Sequence, residues 1–173
     1  MLNKSCFSRG LGVFCLAFTL AVLPFATSGA QAEDVSASDA GGILKVLRDR
    51  GQTALATIDE FGDPFIETSV GNVDYHILFY GCTDHRSCSS IALRTERASD
   101  GTTGIEDVNG WNAEQRWTKV YTPEVNILTL ELDVWFGDAP IPADRFGRYL
   151  DVWERSLSEF VRFVDSGEFD FVE

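Results

Sequence analysis

The most constraining feature of the chain is a regular alternation of apolar and polar side chains across residues 127–136. The even-numbered positions from 128 onward are Leu, Leu, Leu, Val and Phe, and Thr129, Glu131 and Asp133 stand between them. Successive side chains of a strand point to opposite faces, so this pattern predicts an antiparallel strand with one face on a core and a wetter opposite face. We therefore expect the chain to build an antiparallel sheet that includes this strand.

A long amphipathic helix is predicted soon after this strand. Pro142 suits the first helical turn, and Gly167 follows shortly after the last apolar residue of the helix. Apolar side chains recur at steps of three and four to form one stripe: Phe146, Tyr149, Leu150, Trp153, Leu157, Phe160, Val161 and Val164. The stripe predicts that this helix packs on the apolar face of the sheet.

Shorter patterns predict the remaining elements. Two more helices are expected, one from residue 38 or 39 to residue 50 and one from residue 104 or 105 to about residue 116. The other strands are expected at residues 53–58, 65–70, 73–80, 89–95 and 117–122. This order predicts an α+β fold, in which an antiparallel sheet of five to six strands has helices at both ends and one in the middle.

The first 32 residues have the three parts of a secretory signal. Lys4 and Arg9 make a positive start, residues 11–25 are uncharged, and small residues precede a cleavage position after Ala32. The uncharged run is shorter than the roughly 20 apolar residues of a transmembrane helix, although an uncleaved anchor is the alternative. We expect cleavage near Ala32 and a periplasmic or secreted protein that has no membrane association afterwards.

The rest of the chain divides into a short polar lead (residues 33–38), a folded domain (39–166) and an acidic and aromatic tail (167–173). The 173 residues carry a formal net charge of −13, and residues 1–32 hold two basic and no acidic residues, so cleavage takes the charge to −15. Nucleic acids and anionic membranes require a basic surface. The charge therefore argues against both as partners.

Two cysteines remain after the predicted cleavage, Cys82 and Cys88. Export to an oxidising compartment favours a disulfide between them. Zinc binding is an alternative, because Cys82, His85 and Cys88 are spaced as three ligands and Asp84 or His76 would be the fourth. A catalytic dithiol is a further alternative, although such pairs are more often spaced C-x-x-C.

Several short motifs, in their order and spacing, resemble the YbjN-domain family over about residues 39–166. These motifs are Phe61-Gly-Asp-Pro-Phe-Ile66, Phe79-Tyr-Gly-Cys82 with the nearby Cys88, Ser90-Ile-Ala-Leu93 and Asn109-Gly-Trp-Asn112. The family is labelled as bacterial sensory transduction regulators, and its fold is similar to that of type III secretion chaperones. The resemblance implies a small α+β protein that binds peptide segments and often dimerises. It implies no enzymatic activity and no cofactor.

The sequence contains no nucleophile, phosphate-binding or dinucleotide-binding motif. Glu131 and Asp133 lie two residues apart on one strand face and would suit acid–base chemistry if burial raised one pKa, but the wet face of a sheet explains them better. His76 is interpreted as a structural histidine rather than a base. The acidic turn at residues 59–63 lacks the spacing of a calcium loop and is interpreted as a plain turn. We expect no catalytic or metal-binding residues.

Four residues are candidates for a partner or ligand surface. Asn112 shares a helix face with apolar residues, so we expect its amide to tie the middle helix to nearby backbone, and Asn109 and Asn112 are alternatively ligand contacts. Trp117 and Trp135 are expected to form an aromatic pair on the outer sheet face, which would be a partner surface. In the alternative, the middle helix covers that face.

Two functions follow as hypotheses. The first is an exported, non-catalytic module of the YbjN type, either a sensory transduction regulator or a chaperone-like protein. It would bind an unknown protein or peptide, and a homodimer is one form that it could take. The second is a periplasmic protein that binds a small ligand or metal at the Cys82-His85-Cys88 loop. The sequence favours the first, because it lacks a catalytic set and has surplus aromatic residues.

Overall fold

The computed structural model describes residues 34–166 of the chain. The predicted signal (residues 1–32), its cleavage site near Ala32 and the predicted tail (167–173) lie outside the described residues. Within residues 34–166, no helix combines the length and apolarity needed to cross a membrane.

The described chain forms one large antiparallel sheet, a small two-stranded pairing and three helices. The large sheet has the strand order β2-β3-β4-β5-β7-β6. The elements are β1 (Asp34–Val35), α1 (Ala40–Asp49), β2 (Thr53–Ile58), β3 (Pro64–Val70), β4 (Val73–Tyr80), β5 (Ser90–Ala98), α2 (Ile105–Glu114), β6 (Lys119–Tyr121), β7 (Ile127–Trp135), β8 (Ile141–Pro142) and α3 (Ala143–Ser166). The predicted α+β class, with a six-stranded sheet, helices at both ends and one in the middle, is confirmed.

The segment predicted only as a polar lead contains a short strand. Asp34 and Val35 of β1 pair with Pro142 and Ile141 of β8. Val35 and Ala37 are buried in the hydrophobic core. A two-residue strand contains no hydrophobic repeat, so periodicity could not reveal it.

All three helices lie on one side of the large sheet, which we call the inner face. In α1, Ile43 and Leu47 belong to the same core cluster as the inward side chains of the strands. In α3, Trp153 lies 5.4 Å from the ring of Tyr75 on β4.

The middle helix is anchored to the same side through one tryptophan. Trp111 of α2 lies 6.1 Å from the ring of Phe160 and 5.3 Å from that of Phe163, both on α3. The alternative in which the middle helix covers the outer face is therefore wrong.

Candidate interaction surface

The outer face is the side of the large sheet opposite the three helices. Strand register aligns one residue of each strand in a row across this face, in the order Leu55, Glu67, His76, Arg94, Glu131 and Lys119. The last three alternate in charge, and opposite charges on directly facing strands attract each other. The row thus places an acid between two bases near the β6 edge.

Glu131 is the centre of this charge cluster. Its Oε2 accepts hydrogen bonds from Arg94 Nε at 2.7 Å and from the Tyr121 hydroxyl at 2.8 Å. Its Oε1 lies 2.8 Å from Lys119 Nζ, which also contacts Asp133 Oδ2 at 2.9 Å. Glu131 as a residue is 6% exposed, so its neighbours replace water as hydrogen-bond donors to the carboxylate.

This arrangement corrects the expectation that Glu131 lies on a wet sheet face. The face is not wet at Glu131, because longer side chains from both neighbouring strands cover it. Burial by itself would raise the pKa of Glu131, but hydrogen bonds from Lys119, Tyr121 and Arg94 outweigh burial and lower that pKa. A general acid needs a raised pKa, so Glu131 is unsuited to that role.

The same contacts shift the pKa values of the donors. Desolvation and the hydrogen bond to Glu131 together raise the pKa of Tyr121 to about 12. For Lys119 the hydrogen bond to Glu131 is the largest influence, and it raises the pKa against a smaller opposing effect of burial. Lys119 and Tyr121 therefore remain protonated donors at neutral pH, which keeps the cluster intact.

Aromatic and aliphatic side chains lie beside the charge cluster on the same face. The Trp135 side chain is 73% exposed, and Tyr80 is 40% exposed and accepts a 3.1 Å hydrogen bond from Arg94 Nη2. Phe65 and His76 stack with ring centroids 5.0 Å apart. The outer face thus combines exposed apolar surface with charged groups.

The predicted pairing of Trp117 with Trp135 does not form. The register of β6 and β7 places Lys119 opposite Glu131, and Trp117 precedes the strand. Trp117 instead lines a hollow of about 250 Å³ against α3, together with Arg145, Arg148, Tyr149 and Val152. Turn geometry before β6 decides this placement, and strand alternation could not predict it.

The two asparagines have different environments. Asn112 Oδ1 accepts a hydrogen bond from Val120 N–H at 2.8 Å, and its Nδ2 donates to Val120 C=O at 2.9 Å. The predicted tie from α2 to backbone is therefore present, although Asn112 is an exposed residue rather than a buried one. Asn109 is also exposed, on the same helix. A ligand role for either residue stays a prediction.

A disulfide joins Cys82 to Cys88. Both sulfurs are bonded to each other, so neither is available as a thiolate for zinc or for redox catalysis in this state, which contradicts the zinc alternative. His85 Nδ1 lies 3.0 Å from Asp63 Oδ1 in the acidic turn. Within residues 34–166, no group of three or more His, Cys, Asp or Glu side chains is arranged to hold a metal ion.

The acidic turn between β2 and β3 is held by hydrogen bonds between the Asp59 side chain and the backbone of the turn itself. Asp59 Oδ1 accepts hydrogen bonds from the N–H groups of Phe61 and Asp63, both at 2.9 Å. An aspartate that bonds backbone two and four residues ahead is typical of a structural turn. These contacts agree with the interpretation of a plain turn.

Comparison with known proteins places the chain in a family. The family model YbjN, described as "Putative bacterial sensory transduction regulator", matches residues 39–166. No curated protein and no solved structure matches the chain significantly. Because the family model covers most of the chain, and its limits coincide with the cap of α1 and the end of α3, the chain belongs to the YbjN family.

Proposed function

We propose that the protein is an exported, non-catalytic module that binds a protein or peptide partner on the outer face of its sheet. The regulator role described for the family supports an interaction function. The observation that carries the proposal is the placement of all three helices on the inner face, which leaves the outer face without a covering layer from residues 34–166. Antiparallel sheets commonly leave one face to solvent, and that face is then accessible to a partner.

The chemistry of this face indicates the kind of partner that it would bind. Leu55, Tyr80 and Trp135 expose 59%, 40% and 73% of their area, and tyrosine and tryptophan are enriched in protein interfaces. Glu67 and Asp133 are exposed acids on the same face. A partner segment that presents both apolar and basic side chains to this face therefore complements the surface. The chaperone-like binding that the fold resemblance implies would hold that segment as an extended peptide.

Export forms the second part of the proposal. It is supported by the signal-like residues 1–32 and by the Cys82–Cys88 disulfide, since such bonds persist in oxidising compartments. Intact mass measurement of the protein purified from periplasm or culture medium would test it. We expect a chain that begins at Glu33 and is two hydrogens lighter than the reduced form, whereas a full-length or fully reduced chain would contradict export.

The binding proposal can be tested with two synthetic peptides of equal length, one repeating Lys-Lys-Leu-Leu and the other repeating Glu-Glu-Leu-Leu, so that each face of the extended peptide carries both residue types. Isothermal titration should show binding of the Lys-Leu peptide and none of the Glu-Leu peptide. Trp135→Ala should weaken the Lys-Leu interaction roughly tenfold or more, as expected for an aromatic interface anchor.

The matched control is Val125→Ala, which truncates a side chain that is 89% exposed in the loop between β6 and β7. It should leave peptide affinity unchanged, because Val125 lies outside the outer face. Equal affinity of the wild type, Trp135→Ala and Val125→Ala would show that only net charge attracts the peptide. That outcome would refute binding on the outer face.

A further inference from the structure

The two edge strands of the large sheet, β2 and β6, differ in whether their outward backbone groups have hydrogen-bond partners. An unpaired edge strand presents free N–H and C=O groups that invite pairing with another chain. At the β6 edge, Asn112 takes the place of a neighbouring strand. Its side-chain amide forms hydrogen bonds with both the N–H and the C=O of Val120. This edge is therefore closed to strand addition at its centre.

The hydrogen-bonding pattern of β2 identifies which of its backbone groups face outward. The register pairs Asp59 with Asp63 just beyond the strand, and Asp59 N–H donates to Asp63 C=O at 2.9 Å. Hydrogen-bonded pairs alternate along an antiparallel ladder. Ile58 therefore directs its backbone groups away from β3, which agrees with its position opposite Pro64, a residue without an N–H.

By the same alternation, Ala54 and Ala56 also face the free edge. Ala54 C=O accepts hydrogen bonds from the Arg48 guanidinium, at 2.9 Å from Nη2 and 3.3 Å from Nε. In the part of the chain that the structure describes, no hydrogen bond satisfies the outward groups of Ala56 and Ile58. The open part of the edge is thus centred on Ala56.

The side chains of β2 lack the usual protection of an edge strand. Natural edges carry charges, prolines or bulges that prevent pairing, whereas residues 53–58 read Thr-Ala-Leu-Ala-Thr-Ile. Leu55, Ile58 and the following Phe61 are 59%, 68% and 74% exposed. An uncharged, apolar edge with free backbone groups fits the addition of another uncharged strand.

We propose that β2 pairs antiparallel with β2 of a second copy of this chain, so that two six-stranded sheets join into one. A two-fold axis at Ala56 would place Ala56 opposite Ala56 and Ala54 opposite Ile58. The outward groups of Ala56, the Ile58 C=O and the Ala54 N–H would then gain partners, while the Ala54 C=O would be shared between the Ile58 N–H and Arg48. A two-fold interface uses the same patch on both copies, and β2 supplies both sides. This pairing uses the sheet edge and is independent of the partner proposed for the outer face.

Charge complementarity favours a second copy over an unrelated strand. Arg48 lies at the Ala54 end of the edge, and Glu60 lies just beyond Ile58 at the other end. Neither has an ion-pair partner among residues 34–166. Antiparallel self-pairing brings Glu60 of each copy toward Arg48 of the other, twice per dimer.

Sedimentation equilibrium of the purified protein, from micromolar to millimolar concentration, tests the pairing. The wild type should show a monomer–dimer equilibrium. Ala56→Pro should weaken it roughly 30-fold, because it removes both hydrogen bonds of the central pair while leaving the ladder to β3 intact, as the Ala56 N–H faces outward. The control is Val125→Pro, at a turn position that accepts proline, and it should dimerise like the wild type.

Crosslinking tests the register directly and does not depend on how well the proline variant folds. Ala56→Cys should form an intermolecular disulfide under mild oxidation, since directly opposed residues lie within disulfide reach. Val125→Cys should not. A wild type that stays monomeric at millimolar concentration, or a dimer that resists Ala56→Pro and lacks the Ala56→Cys crosslink, would overturn the proposal.

Discussion

Replacing Glu131 by glutamine removes the negative charge from the centre of the cluster on the outer face and keeps the shape of the side chain. In the wild type Glu131 is 6% exposed, and its carboxylate receives hydrogen bonds from Arg94, Lys119 and Tyr121. The variant leaves two cations facing a neutral amide. Breaking a buried ion pair by removing one partner is costly because the remaining charge loses its compensation.

The expected loss of unfolding free energy follows from how exposed each partner of Glu131 is. A hydrogen bond to a buried charge contributes about 1.5–3 kcal/mol, and the Arg94 side chain is only 27% exposed. Lys119 is 50% exposed, and an ion pair with such a group is worth about 0.2–1 kcal/mol. The glutamine oxygen still accepts the Tyr121 hydrogen bond. We expect Glu131→Gln to lower the free energy of unfolding by about 2–3 kcal/mol at pH 7.

The stability difference between the wild type and Glu131→Gln should become smaller as the pH falls. The pKa of Glu131 is lowered in the folded protein, because the three hydrogen bonds outweigh burial. A carboxylate with a folded pKa below its unfolded value, about 4.3 for glutamate, adds stability above that value and loses it as pH falls through the folded pKa. The difference between wild type and Glu131→Gln should therefore be complete at pH 7 and shrink below about pH 4.

Urea unfolding followed by tryptophan fluorescence measures both effects, provided that the denaturant slope is unchanged. Asp133→Asn is the matched control, since Asp133 is 61% exposed and contacts only Lys119 in the cluster. It should change the unfolding free energy by less than about 0.5 kcal/mol. The reasoning fails if Glu131→Gln costs no more than Asp133→Asn, or if its cost is the same in acid as at pH 7.

Three further changes test other parts of the structure by the same unfolding measurement. Asn112→Ala removes both hydrogen bonds to the β6 edge and should cost about 1–2 kcal/mol, whereas Asn109→Ala should have almost no effect; equal costs would refute the edge contact. Replacing both bridge cysteines by serine should cost about 2 kcal/mol by opening a short loop, and a stability that does not respond to reductant in the wild type would contradict this. Gly81→Ala should destabilise more than Gly71→Ala, because both glycines have positive φ but an added Cβ meets a side chain only at position 81; the reverse order would refute the steric argument.

Local patterning was sufficient for the main elements of the fold. The alternation over residues 127–136 became β7, Ile127–Trp135, and the apolar stripe after Pro142 became α3, Ala143–Ser166. The spacing of apolar side chains follows from helix or strand geometry wherever one face is buried. It can therefore be recognised in the sequence without knowledge of the tertiary structure. The same patterning missed β1, because two residues contain no period.

The candidate surface was only partly predictable. Alternation placed Glu131 and Trp135 on the outer face, and the structure agrees. It could not show that Arg94 and Lys119 face Glu131 from the two neighbouring strands, because those contacts depend on the register between strands, which alternation within one strand does not set. The expected partner of Trp135 was wrong because Trp117 lies before β6, outside the strand.

The sequence by itself determined the α+β class, the family, the acidic charge and the presence of Cys82 and Cys88 in the matched domain, because composition, short motifs and short-range periodicity carry these properties. Only the tertiary structure decided that all three helices share one face, that Glu131 is buried among its donors, and that Asn112 closes one sheet edge while β2 stays open. Each of these depends on long-range pairing, where a shift of one residue moves every side chain of a strand to the other face.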